Sequence, residues 1–173
     1  MIFDLDPPGD DFEPVRFEAR KLNELLGELE LPTHVKTTGS PGLHVLVPLD
    51  RSADFNAVRA FARDVAALLA DRESKRLTIE QRKNKRQGRL YLDTGRNAYA
   101  QTAVAPYAVR PLAGAPIATP LEWNELSDND LDAQSYTMKN ILRRLGQKED
   151  PWRDIRRHAV SLDAARERLQ ELK

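Results

Sequence analysis

Cysteine is absent from the 173 residues, which removes disulfides, thiolate metal sites and cysteine nucleophiles together. Long apolar runs are absent as well: nothing approaches the ~20 residues that span a bilayer, and the N-terminus lacks a basic-then-apolar leader pattern. An excess of either charge is missing too. Twenty-seven lysines and arginines offset 27 aspartates and glutamates, so a polyanionic partner is argued only from local patches. These absences set the expectation of a soluble, cytoplasmic chain with no membrane segment. What is present, 40% hydrophobic and 31% charged residues, is ordinary for a globular protein. The length fits one domain with a buried core.

Residues 2–6 (Ile-Phe-Asp-Leu-Asp) alternate apolar and acidic, the period of a strand, and Pro7-Pro8-Gly9 ends it. A helix is expected next, with Pro14 in its first turn, Val15, Ala19, Leu22, Leu26 and Leu29 on one face, and Pro32 closing the segment. Two strand-like runs, 34–38 and 43–48, flank a Gly39-Ser40-Pro41-Gly42 turn. A second amphipathic helix is expected over 55–70, burying Val58, Phe61, Ala62, Val65 and Leu69. Thr78 and Gln81 have the spacing of a capping box for a short helix. Residues 82–89 carry five positive charges and lead into a strand, 90–93. The glycine- and proline-containing stretch 94–120 reads as short strands and turns. Helical periodicity is expected again from Tyr136 (Met138, Ile141, Leu142, Leu145) and over 162–172. Strands interspersed with helices suggest α+β or α/β, a sheet core with flanking helices whose strand order the pattern does not give.

Alternation puts Asp4 and Asp6 on one face of a strand and Phe3 and Leu5 on the other. Carboxylates that close repel unless a cation lies between them or one binds a proton. A hard divalent ion such as magnesium or manganese suits them, because it prefers oxygen ligands and keeps positions open for phosphates. Asp93 ends another apolar strand and is a candidate third ligand; three acids can hold two ions. The plainer alternative is an exposed edge-strand face, with Asp93 capping a turn.

Residues 37–44 (Thr-Thr-Gly-Ser-Pro-Gly-Leu-His) gather hydroxyls, two glycines and an imidazole in one turn. Glycines let backbone approach a phosphate, hydroxyls and amides donate, and His44 adds a donor. A plain hairpin with a structural histidine accounts for the same residues. Arg86, Arg96 and Arg110 are candidate phosphate clamps, since guanidinium groups bind phosphate oxygens bidentately. Solvated surface accounts equally for the basic run around Arg86.

In their order these segments resemble the primase-type polymerase domain of bacterial ligase D, in the archaeo-eukaryotic primase superfamily. The resemblance rests on Phe3-Asp4-Leu5-Asp6-Pro7-Pro8, Val35-Lys36-Thr37-Thr38-Gly39-Ser40 with Gly42-Leu43-His44-Val45, Leu92-Asp93, Arg96-Asn97, Thr102 to Tyr107, and Val109-Arg110. Gly114-Ala115-Pro116, Thr119-Pro120-Leu121 with Trp123, Glu125-Leu126 and Pro151-Trp152 complete it. It covers residues 1–155, the expected catalytic region, and leaves 156–173 as a C-terminal helix or tail.

The resemblance implies two manganese or magnesium ions on Asp4, Asp6 and Asp93. It implies an incoming nucleoside triphosphate on Thr38, Gly39, Ser40 and His44, with Arg86, Arg96 and Arg110 near the nucleotide. The implied activity is a nucleotidyltransferase adding nucleotides or ribonucleotides at DNA ends in non-homologous end joining, beside a DNA ligase and Ku. Two departures stand out. Pro41 occupies a loop position where the family usually has lysine, and the chain begins almost on the Asp-Leu-Asp strand, so it is expected to be N-terminally truncated relative to the family. Two other readings use the same residues: a binding remnant of the polymerase without chemistry, and a haloacid-dehalogenase-like phosphatase opening on Asp4-x-Asp6. Pro7-Pro8 and the polar setting of Asp128, Asp130 and Asp132 fit the phosphatase poorly.

Overall fold

The alternating opening is strand β1 (Ile2–Asp6) of a computed structural model that describes residues 1–173. Helix α1 (Glu13–Glu28) follows with Pro14 in its first turn, where a missing N–H costs nothing. Strands β2 (His34–Thr37) and β3 (Leu43–Leu46) form the expected hairpin. Helix α2 (Phe55–Arg72) starts on Asp54, whose carboxylate accepts from the Ala57 N–H at 2.8 Å. Strands β4 (Leu77–Thr78), β5 (Leu90–Asp93) and β6 (Pro120–Leu121) complete the sheet, and α3 (Ile141–Gln147) and α4 (Asp163–Glu171) complete the helices.

The sheet order is β4-β5-β1-β3-β2-β6, with every neighbouring pair antiparallel except β4–β5. The α+β expectation holds. One face of the sheet presents Phe3, Leu5, Val35, Leu43, Val45 and Leu92, all essentially inaccessible to water. Against that face pack the apolar stripes of α1 (Val15, Ala19, Leu22, Leu26) and α2 (Phe61, Ala62, Val65, Leu69). Leu162, Ala165 and Leu169, from the C-terminal segment, join the same core. Burying such side chains contributes about 1.5–3 kcal/mol each, so the apolar face fixes the register of every strand. The opposite face, with Asp4, Asp6, His44 and Lys36, is then left for polar chemistry.

Two expectations fail locally. Thr78 lies in β4, and its hydroxyl accepts from the Glu80 N–H at 3.1 Å. No helix follows it, only a 3₁₀ turn at Lys83–Lys85, because the parallel pairing with β5 claims the backbone. The helix expected from Tyr136 begins at Ile141: Thr137 bridges Pro116, and its N–H donates to the Asn140 side chain at 2.8 Å. Of the expected apolar face only Ile141 is buried, while Met138, Leu142 and Leu145 are exposed.

Candidate active site

Register turns the polar face into an ordered row. Asp4 on β1 lies directly opposite His44 on β3 and Asp93 on β5, and His44 lies opposite Lys36 on β2. Directly opposed residues of an antiparallel pair share a face, so Asp93, Asp4, His44 and Lys36 run side by side across four strands. Asp6 sits one pleat further along β1, opposite Tyr91.

The three aspartates converge: one carboxylate oxygen from each of Asp4, Asp6 and Asp93 lies within 4.8 Å of the others. Asp4 is buried, and Asp6 and Asp93 are half-buried. Burial, then repulsion from Asp4 and Asp93, raises the Asp6 carboxyl to about 6, against the opposing pull of Arg86 and Arg96. The cluster is therefore short of positive charge. Hard oxygen donors at this spacing fit a divalent cation.

Supporting contacts aim these carboxylates. Asp93 Oδ1 accepts from the Gly95 N–H at 2.7 Å and the Tyr91 hydroxyl at 3.2 Å, which orients the carboxylate and leaves its second oxygen uncommitted. The Asn97 side chain pairs with both backbone groups of Ile2, at 2.7 Å each, and so holds the start of β1 beside Asp4. His44 Nε2 lies 3.4 Å from Asp4 Oδ2, and Arg96 Nε lies 3.7 Å from the same oxygen.

A cavity of about 460 Å³ lies against Asp4 and His44 of this row, lined also by Asp6, Thr38, Ser40, Arg96, Arg110, Thr102, Ala103 and Val104. Arg110 anchors the β2–β3 loop by donating from Nη1 to the Thr38 carbonyl at 2.9 Å. Gly39 is required there: its φ is +65°, and a Cβ would fall 2.8 Å from Arg110 Cγ. The Thr38 hydroxyl turns into the loop, donating toward the Ser40 and Gly42 carbonyls at 3.0 Å. It thus shapes the turn, and Ser40 faces the cavity.

Asp93 lies on the rim of a second cavity of similar size, with Arg59, Arg63, Arg82 and Tyr91 in its wall. Arg86 stands apart from the first cavity. Its guanidinium covers the Tyr91 ring at 3.9 Å and donates to the Glu80 and Gln81 carbonyls.

Sequence reasoning missed Lys36, which is 2% exposed, with Nζ buried and making no hydrogen bond. Burial, with Arg110 adding to it and Asp4 opposing, lowers its ammonium to about 8. Its position two residues before Thr38, on the hydroxyl-bearing face, was the available signal. Arg59 and Arg63 were missed as well; their i,i+4 spacing on the polar side of α2 was the corresponding clue.

Residues 1–152 match the family described as LigD, primase-polymerase domain. The chain belongs to that family. It is 33% identical over 173 residues to the multifunctional non-homologous end joining protein LigD of Pseudomonas aeruginosa, covering 97% of this chain and 20% of that protein. The Mycolicibacterium smegmatis LigD is 32% identical over 87% of this chain and 20% of its own length. The chain therefore spans about a fifth of these curated relatives. The solved polymerase domain of Mycobacterium tuberculosis ligase D, in complex with DNA, superposes with a TM-score of 0.84 at 29% identity, over 92% of this chain and 55% of that one. Membership of the LigD primase-polymerase family displaces the phosphatase reading of Asp4-x-Asp6. No helix is long and apolar enough to cross a membrane.

Proposed function

We propose that the chain is a nucleotidyltransferase of primase type, adding nucleotides or ribonucleotides to DNA ends during double-strand break repair. The observation that carries this reading is the convergence of Asp4, Asp6 and Asp93, the first two of which line a cavity with Ser40, His44, Arg96 and Arg110. Asp4, Asp6 and Asp93 would hold two manganese or magnesium ions. Bound there, the ions supply activation of an attacking hydroxyl and charge stabilisation of a leaving pyrophosphate.

The chain's own residues divide the remaining work. Ser40 and the glycine-bearing turn present donors to phosphate oxygens, and His44 Nε2 lies 3.4 Å from Asp4 Oδ2. Arg96, beside Asp4, and Arg110, hydrogen-bonded to the 38–42 loop, neutralise phosphate charge. Gly95 and Tyr91 keep Asp93 aimed. Arg86 acts on the Asp6 side through its electrostatic pull. Residues 1–155 form the catalytic region, with 156–173 as a C-terminal appendage in function. DNA ends are the partner, with a ligase and Ku acting beside the chain in the cytoplasm.

Primer extension by the purified chain with manganese and nucleoside triphosphates tests the reading. Extension is expected for the wild type and a loss of at least a hundredfold for Asp4→Ala. Extension by Asp4→Ala at the wild-type rate would remove the metal assignment. A second reading, a DNA- or partner-binding module without chemistry, draws on Pro41, which leaves the 38–42 loop without a basic residue. DNA-end binding without metal-dependent extension would favour it.

A further inference from the structure

Several buried polar side-chain atoms find no hydrogen-bond partner, and two of them lie on the open face of the sheet: Lys36 Nζ and His44 Nδ1. They are register partners on β2 and β3. An unpaired buried ammonium carries a large desolvation penalty, and nothing in the folded chain offsets it in full. The charges that act on it most are Asp4, which is favourable, and Arg110, which is not. A methionine of similar length would fill the same space without the penalty. The ammonium is thus held at a cost beside the cavity of Ser40, His44 and Arg110. The turn that lines one part of that cavity, 38–42, has no basic residue of its own.

We propose that Lys36 is a positioning residue of this cavity, a fixed buried counter-charge that draws and orients the triphosphate of an incoming nucleotide. The inference rests on the nucleotide-site reading above. Lys36 acts through the field it creates: Nζ is covered, so it orients phosphate from its place beside His44 in the sheet and does not touch it. In a dry setting such a charge is screened far less than a surface lysine. Two ligands feel it with opposite sign. A polyanion above the row is held more tightly, whereas a divalent cation at Asp4 is held less tightly.

Calorimetry on the purified chain separates these effects, using manganese alone and then manganese with a non-hydrolysable nucleoside triphosphate. For Lys36→Met, triphosphate affinity falls about tenfold while manganese alone binds as well as to wild type or more tightly. The metal-free melting temperature does not drop. Steady-state extension shows the same loss in KM for the nucleotide, with kcat changed much less. Lys36→Gln, neutral but able to hydrogen-bond, behaves the same way and guards against a packing fault peculiar to methionine. Unchanged triphosphate affinity in a folded variant overturns the proposal. A parallel fall in both affinities with a lowered melting temperature also overturns it, since that is the signature of a purely structural lysine. Wild-type chain that binds no triphosphate with manganese would sink the nucleotide-site reading and this inference with it. Normal wild-type binding with indifferent Lys36 variants would sink this inference alone.

Discussion

Asp6→Asn should make the metal-free protein more stable and the metal-loaded protein less so. In the folded chain the Asp6 carboxyl stands at about 6, above its ordinary 3.8, through burial and repulsion from Asp4 and Asp93. A displacement of that size corresponds to roughly 3 kcal/mol. Asp6 is half-buried, so screening by water reduces this to about 1–2 kcal/mol. The sign follows from proton linkage. A carboxyl whose folded value is raised holds its proton more tightly when folded, so the penalty is complete above about 6 and fades as pH falls toward 3.8.

With the metal chelated at pH 7.5, the asparagine variant should melt about 3–6 °C above wild type, a range set by the size of the 173-residue chain. That advantage should shrink steadily toward pH 4. Manganese reverses the order: at about 100 times its dissociation constant it stabilises wild type by roughly 2.7 kcal/mol, and the variant much less. Scanning calorimetry at three pH values, with chelator and with manganese, gives the full set. An asparagine variant no more stable than wild type under chelation would refute the repulsion argument. Equal stabilisation of both chains by manganese would refute the metal assignment.

Glu18, 1% exposed on α1 with both carboxylate oxygens unpaired, is raised to about 7 by burial and then by Glu73. Urea midpoints should show Glu18→Gln gaining about 2–3 kcal/mol on wild type between pH 5 and pH 8; a gap independent of pH contradicts this. Pro41→Lys adds a cation to the 38–42 loop and should tighten manganese-dependent triphosphate binding by about two- to fivefold, in line with a partly exposed charge pair. No change in the calorimetric constant would place the triphosphate away from that loop.

The strand pattern was legible because its period is short. Asp4 and Asp6 share a face by alternation alone, and Gly39-Ser40-Pro41-Gly42 announces its own turn. Register was not legible, because it joins residues far apart: Asp4 meets His44 and Asp93 only through pairings across 40 and 89 positions. Arg86 shows the limit of composition, since its guanidinium rests on Tyr91 and two carbonyls of its own loop. Lys36 escaped attention because lysine on a strand reads as solvated, whereas here it is buried with its Nζ unpaired. The helix expected from Tyr136 starts only at Ile141 and lacks its buried face for the converse reason: apolar spacing at Met138, Leu142 and Leu145 meets no surface to cover.

The order of charge along the sheet gives the proposed chemistry a direction. Neighbouring strands lie about 4.8 Å apart, so Asp93, Asp4, His44 and Lys36 span roughly 14 Å from β5 to β2, with acid at one end and base at the other. Mixing those charges would neutralise them as ion pairs and leave the free chain more stable. Kept apart, they leave Asp6 reluctant to ionise and Lys36 without a partner. A divalent cation joined to a polyphosphate has the complementary polarity, cation toward the aspartates and phosphate tail toward Arg110 and Lys36. A ligand bound the other way round would meet like charge at both ends. On the proposed reading, the energy withheld from folding at these positions becomes the orienting force on the substrate.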